Sequence, residues 1–501
     1  MTHPQTLSLP ANGPMSARDR TVIGILLIAA FVVIFNETVM SVALPRLMTD
    51  LHISAGTGQW LTTAFMLTMA VLIPTTGFVL QRLTTRTVFI LAMSLFSTGT
   101  LLAGVSNGFP MLLAARIVQA SGTSVMIPLL MTTVLNLVPP NRRGSFMGTV
   151  SIVIAVAPAI GPTISGLILQ YLSWRFMFFI VLPIALIALV IGAIGLVNVG
   201  EENHHRIDLL SVALTIPAFG LFVYGLNQFG QAGTGHVPVV GIVSLAIGIV
   251  FLLVFAGRQQ RLQHSGNPLL DLRVFGYQAF RKSLIITLLA MVALFGMILV
   301  LPLYLQEVRG LNTLSTGLLL LPGGVLMAIL SPITGRLYDR YGPRGLMLTG
   351  TGLLAVMLVT MTFTTVQSPV WLLAIQYAIM IGAGMGLLMT PAMTNGLNPL
   401  PPHLYSHGSA TLMTLQQVAG AAGTALLIAL LALRAGALGR SGVPALQAQL
   451  GGFHLAFLAA AIAAAGAFVL SLFVTRAVPA QPEPVAGAAE IGREPVPVPE
   501  G

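Results

Sequence analysis

Residues 31–45 read FVVIFNETVMSVALP, an apolar run with an Asn36–Glu37 pair in its middle. Whether this run is a soluble core segment or a membrane span decides the fold. Working outward, the apolar stretch extends from Thr21 to Pro45. At about 1.5 Å per helical residue that is long enough to cross the roughly 30 Å hydrocarbon core of a bilayer. It is also too long for the apolar core of a signal peptide, although Arg18 and Arg20 precede it. We read it as a retained first span that carries a carboxylate where lipid would otherwise be the solvent.

The composition agrees. Hydrophobic residues make up 56% of the 501 and charged residues 7%, the inverse of what a water-soluble surface of this size requires. The net charge of +10 comes from basic residues in ones and twos. They do not form the stripe with interleaved aromatics of a nucleic-acid face, so nucleic acid is not expected as a partner. Cysteine is absent, which excludes disulfides and thiol chemistry, and no Cys/His cluster has metal-ligand spacing. With no P-loop, hydrolase triad or carboxylate pair, no ATP site, metal or cofactor is expected.

Apolar runs of about 20 residues place fourteen helices near 21–45, 57–81, 87–107, 110–136, 144–170, 175–198, 208–229, 237–257, 280–305, 315–336, 344–365, 370–397, 408–433 and 453–475. An even number puts both termini on one side. Most of the 23 Lys and Arg residues, Arg82, Arg86, Arg336, Arg340 and Arg344 among them, then share that side, which the positive-inside bias makes cytoplasmic. His204, His205, His403 and His407 fall in inner loops and are read as solvated. The tail from Val478, rich in Pro, Ala and Glu, is expected to be disordered.

The chain also repeats itself. GFVLQRLTTR at 77–86 and GRLYDRYGPR at 335–344 share the form G-x-x-x-x-R-x-x-x-R. Gly122 and Gly384, then Pro139–Pro140 and Pro401–Pro402, recur in the same order, and RGS at 143–145 answers HGS at 407–409. Such marks indicate a six-helix unit used twice. The expected organisation is a cytoplasmic segment at 1–20, an N-terminal six-helix bundle at 21–198, two inserted helices within 208–257, a cytoplasmic linker at 258–279, a C-terminal six-helix bundle at 280–475 and a cytoplasmic tail at 476–501.

These residues resemble the major facilitator superfamily over roughly 20–475, and in particular its fourteen-helix drug:proton antiporters of the lincomycin-resistance and multidrug exporter type. FNETVMSVALP (35–45) looks like the first-span motif, with Asn36 where Asp is usual and the carboxylate moved to Glu37. GRLYDRYGPR is similar to the superfamily's loop signature in full form, whereas the first copy has Gln81 for its Asp and Thr84 for its Gly. AARIVQASGTS (114–124) resembles the fourth-span motif built on Arg116 and Gln119, with Ala120 for a glycine. APAIGPTISG (157–166) resembles the fifth-span antiporter motif, with Ala157 and Ser165 for glycines. SWRFMFFIVLP (173–183) and YLQEVRGLNTLSTGLLLLPGG (304–324) are similar to the family's sixth span and its ninth-to-tenth-span hairpin. The resemblance implies an all-α membrane fold of two pseudo-symmetric bundles, alternating access, and export of hydrophobic or cationic compounds driven by the proton gradient.

Glu37 is the only acidic residue expected inside a span, and an ionisable group there is costly enough to suggest proton exchange. A structural carboxylate bonded to a neighbouring helix is the plainer reading. Arg116 lies at similar depth: roughly 10 Å from Phe109, against roughly 12 Å for Glu37 from Pro45. The resemblance implies that their spans are close; otherwise Arg116 snorkels outward. Asn36, Met40, Gln119, Met385 and Met389 are candidate lining of the substrate cavity. Met385, Met389 and Met393 form one helical stripe, which more often serves packing than a site, although flexible methionines also suit adaptable recognition. Ala157, Gly161 and Ser165 recur every fourth residue beside Pro158 and Pro162, a close-packing seam on which the resemblance implies the bundles rock. Arg82, Arg86, Gly335, Asp339, Arg340 and Arg344 are candidate gate residues, or simple topology signals. Without an acid at Gln81, the second copy carries the gate contact alone.

The expectation is therefore a monomer in the bacterial cytoplasmic membrane, working on small hydrophobic or cationic substrates, protons and membrane lipids. Export of an endogenous lipid or envelope metabolite would use the same machinery. An enzyme would need more than one carboxylate and one arginine inside the bundle, and a sensor would need a signalling domain for which there is no room.

Overall fold

The computed structural model describes residues 16–53, 55–196, 198, 208–231, 239–264 and 268–477. The expectations for 1–15, for 201–207 with His204 and His205, and for the tail from 478 lie outside the described residues.

Fourteen helices follow one another, and no strand occurs among the described residues. The first bundle comprises α1 (Ala17–Asp50), α2 (Ala55–Arg82), α3 (Thr85–Gly104), α4 (Phe109–Leu137), α5 (Arg143–Tyr171) and α6 (Arg175–Gly195). An inserted hairpin follows. Its α7 starts as Leu209–Thr215, passes through a π-helical Ile216–Leu221 and continues as Phe222–Gln231, and its α8 is Val239–His264. The second bundle holds α9 (Gln278–Leu303, prolonged by a π turn at Tyr304–Val308), α10 (Thr313–Tyr341) and α11 (Arg344–Met361). It continues with α12 (Val370–Tyr377, π-helical Ala378–Met385, then Gly386–Leu397), α13 (Tyr405–Arg440) and α14 (Ala445–Ser471). Thirteen stretches among the described residues are long and apolar enough to cross a membrane. The remaining expected span, 144–170, coincides with the 29-residue α5.

Local chemistry fixes several ends. Ser16 accepts the Asp19 amide at 3.1 Å and opens α1, and Thr84 accepts the Thr87 amide at 3.1 Å and opens α3. Gly342 ends α10 with φ +81°, a left-handed position that a β-carbon would disfavour. The 335–344 signature is thus partly a helix stop. α8 runs to His264, past the expected boundary at 257, because contacts hold its last turns down. Arg258 pairs with Asp208 at 2.8 Å, and Gln259 Oε1 accepts the Leu269 and Leu270 amides at 2.8 and 3.2 Å. Arg258 and Gln259 therefore belong to a helix rather than to a free linker.

Two main cores form. Phe89, Phe96, Met126, Leu130, Trp174 and Phe178 fill the first bundle. In the second, Tyr304 stands edge-on to Phe453 at 5.5 Å among Met297, Met347 and Leu354. The bundles meet through two equivalent pairs, α5 against α10 and α2 against α13. The second helix of each bundle thus packs on the fifth helix of the other. The inserted hairpin leans on α2 and α13, with Trp60 of α2 stacked on Tyr224 of α7 at 5.8 Å.

Candidate functional site

Inside the first bundle, α1, α2, α3 and α4 converge on Arg116. Its guanidinium, 1% exposed, donates to Gln119 Oε1 at 3.0 Å and to Asn36 Oδ1 at 3.4 Å, and lies 4.0 Å over the Phe65 ring. Gln119 in turn donates to Thr100 Oγ1 at 2.9 Å. A buried guanidinium needs such partners, because desolvation of a lone charge costs several kcal/mol. Arg116 Nε has no hydrogen-bond partner among the described residues. Arg116 therefore does not snorkel; it is held inward by neutral amides and an aromatic face.

Glu37 is half-buried beside Asn36. The described ion pairs are Arg46–Asp50, Arg258–Asp208 and Arg273–Asp271, and no ion pair or hydrogen bond joins Glu37 to another described residue. It nevertheless lies within Coulombic reach of Arg116. Away from the helix ends it is the only acid on a described helix. The arrangement is an interior carboxylate, unbonded among the described residues, next to a fixed positive charge that others hold.

The methionines fall elsewhere. Met40 is buried in the first core, and Met385 and Met389 are buried in the second. Met385 closes the π segment, which breaks the even stripe expected of a regular helix.

The expected rocking seam needs correction. A β-carbon on Gly161 would collide with Thr38, Ser165 Oγ donates to the Val39 carbonyl at 3.0 Å, and Thr38 Oγ1 donates to the Ala157 carbonyl at 3.4 Å. This small-residue face of α5 therefore packs on α1 of its own bundle. The α5 helix passes through positions 158 and 162 unbroken. The seam between bundles lies nearer the start of α5, where Gly144 and Gly148 meet Gly335 and Ser331 of α10.

That end of the molecule, rich in arginine, is closed by contacts between bundles. Asp339 takes the Gly144 amide at 2.9 Å and the Ser145 amide at 2.8 Å, placing a carboxylate on the positive first turn of α5. Arg143, 5% exposed, donates to Asn398 Oδ1 at 2.7 Å, to the Tyr405 hydroxyl at 2.9 Å and to the Leu135 carbonyl at 2.8 Å. Gln81, the neutral stand-in for the first acid, donates to the His403 carbonyl at 2.5 Å. Thr132 with Ser409, and Ser151 with Thr390, complete the closure at 3.0 and 2.9 Å. Both copies of the signature thus hold a contact, one charged and one neutral.

Of the other gate candidates, Arg340 lies 5.2 Å from the Tyr341 ring centre, while Arg86 and Arg344 are exposed. Arg82 sits in the last turn of α2. His407 is not solvated: it is buried at the start of α13, its ring against Gly77 of α2. The turn at Pro402–Leu404 winds straight into α13, carrying His407 into the interface. Sequence reasoning passed over Arg143, although its place in the RGS/HGS repeat was visible.

Two six-helix bundles, a charged cluster inside one of them and a closure built between them at one end define an integral membrane transporter. The family model described as Major Facilitator Superfamily matches residues 26–424, and the chain belongs to that superfamily. It is 41% identical to the uncharacterized MFS-type transporter YcnB of Bacillus subtilis (strain 168), over 90% of this chain and 94% of that one. It is 40% identical to the lincomycin resistance protein LmrB of the same organism, over 81% and 84%. With the multidrug resistance protein B homolog of Mycobacterium tuberculosis (strain ATCC 25618 / H37Rv) it shares 31% identity, over 84% and 79%. The fold is similar to that of the human organic anion transporter MFSD10 (TETRAN), with a TM-score of 0.65 at 15% identity, covering 90% and 99%.

Proposed function

We propose that the chain exports small hydrophobic or cationic compounds in exchange for protons, with both termini on the cytoplasmic side of a bacterial inner membrane. The observation that carries this reading is Glu37, an interior acid without a hydrogen-bond partner among the described residues, beside an Arg116 already engaged by Asn36 and Gln119. A carboxylate locked to its arginine would never take up a proton, and one remote from any charge would never release it. Between these limits, a cationic substrate in the cavity favours the carboxylate and protonation expels the substrate, the reciprocity that coupled exchange requires. No cofactor enters the cycle; the proton gradient supplies the free energy. The names of LmrB and the mycobacterial homolog support drugs as the substrate class.

The test is uphill transport in proteoliposomes under an imposed pH gradient, with lincosamides, lipophilic cations and phospholipids offered in parallel. Glu37→Gln should stay folded and bind substrate yet abolish substrate-induced proton release. Undiminished release would place the proton elsewhere, and transport of phospholipid alone would make the cargo an endogenous amphiphile.

A further inference from the structure

A second charged feature lies on the outside of the first bundle, away from Arg116. Where α1, α3 and α6 end together, Arg18, Arg86, Ile194, Leu196 and Asn198 line a cavity of about 280 Å³. This is below the ~300–1,000 Å³ of drug-sized ligand sites, so it suits a headgroup better than a transported molecule. Both arginines are exposed, and neither has a hydrogen bond or ion pair with another described residue. Asp19, next to Arg18 on α1, does not line the cavity. Each arginine sits in the first turn of its helix, α1 after Ser16 and α3 after Thr84, so two positive helix ends add to two positive side chains.

The wall beside these charges is apolar. Ile194 is 79% exposed, and Ile191 and Ile187, three and seven residues earlier on α6, are exposed on the same face. Charge at the mouth and a greasy strip running from it along the helix match one chemistry. We propose that this cavity binds the phosphodiester headgroup of an anionic phospholipid, whose acyl chains lie along the isoleucine face of α6. A free phosphate would use the arginines but leave that strip without purpose. A guanidinium pair also suits a phosphodiester, since each can donate two parallel N–H groups.

The test compares purified full-length protein with Arg18→Gln/Arg86→Gln and with Arg261→Gln/Arg281→Gln, which removes the same charge from the same end of the molecule at exposed sites elsewhere. Native mass spectrometry would count bound dioleoylphosphatidylglycerol and dioleoylphosphatidylcholine, with inorganic phosphate as competitor. The proposal expects phosphatidylglycerol retention to fall roughly tenfold in the Arg18/Arg86 variant alone, with phosphatidylcholine unchanged. Equal retention in wild type and the Arg18/Arg86 variant overturns it, as does an equal fall in the Arg261/Arg281 variant. Displacement of the lipid by inorganic phosphate at equal concentration would show a simple anion site and overturn the assignment to a lipid. Gel filtration and circular dichroism of each variant separate loss of the site from loss of the fold.

Discussion

Asp339, in the last turn of α10, accepts the Gly144 amide at 2.9 Å across the boundary between the two bundles. The hydrogen bond is charge-assisted and is doubled by Ser145, so it joins a carboxylate to a helix N-terminus that has no other acidic partner among the described residues.

Asp339→Asn should weaken this closure. Hydrogen bonds to charged groups contribute about 1.5–3 kcal/mol, so the closed-to-open equilibrium constant should fall by a factor of ten or more. A single cysteine at Thr132 in the cysteine-free chain, opposite Ser409, should then react with a soluble maleimide about tenfold faster. An unchanged labelling rate would show that Asp339 serves topology alone.

Arg143 should matter as much, although the RGS/HGS repeat that marks it does not name its partners. In a double-mutant cycle on Arg143→Met and Asn398→Ala, the pair bonded at 2.7 Å should show a coupling energy of about 1–3 kcal/mol in thermal unfolding. Additive effects would mean that the contact is incidental.

Replacing Arg116 with Lys should not restore what Arg116→Ala loses. One ammonium cannot span Gln119, Asn36 and the Phe65 face as the planar guanidinium does. Both variants should lose roughly 1–3 kcal/mol of stability, and both should shift the pH dependence of transport. Wild-type behaviour of Arg116→Lys in both readouts would reduce the arginine to a generic positive charge.

The two halves of this site and this gate were unequally legible. Glu37 and Arg116 stand out because an ionisable residue in an apolar run has few explanations, and their equal depth follows from helix rise. The small residues 157, 161 and 165 were also legible as a packing face, but periodicity does not say which helix the face meets; it meets α1. Arg143 was hidden because its partners Asn398 and Tyr405 lie more than 250 residues away along the chain. The even spacing of the methionine stripe was not legible, because a π segment, which apolar periodicity does not reveal, ends at Met385. His407 was misplaced by a span boundary drawn three residues too late, at 408 instead of Tyr405.

The inserted hairpin offers a pH test. The Arg258 hydrogen bond holds the Asp208 carboxyl below its ordinary value, against the opposing effect of burial. A depressed carboxyl contributes stability above its unfolded value, and that contribution is lost as pH falls through the lower folded value. The joint between the start of α7 and the last turns of α8 should therefore hold from neutrality down to about pH 4 and loosen below it, while Asp208→Asn should be loose throughout. Trp60, stacked on Tyr224, reports this by its fluorescence once Trp174 and Trp371 are replaced by Phe. Identical profiles for the variant and the wild type would refute the link.

The exchange of an acid for Gln81 has a mechanical meaning. At one side of the closed end a carboxylate grips a helix start, a hold that salt, protonation or a bound cation can loosen. At the other side a neutral amide holds the His403 carbonyl, a contact blind to all three. The closed end is therefore fastened unequally, by a charge-sensitive hold where α10 meets α5 and by a charge-blind one where the end of α2 meets the turn before α13.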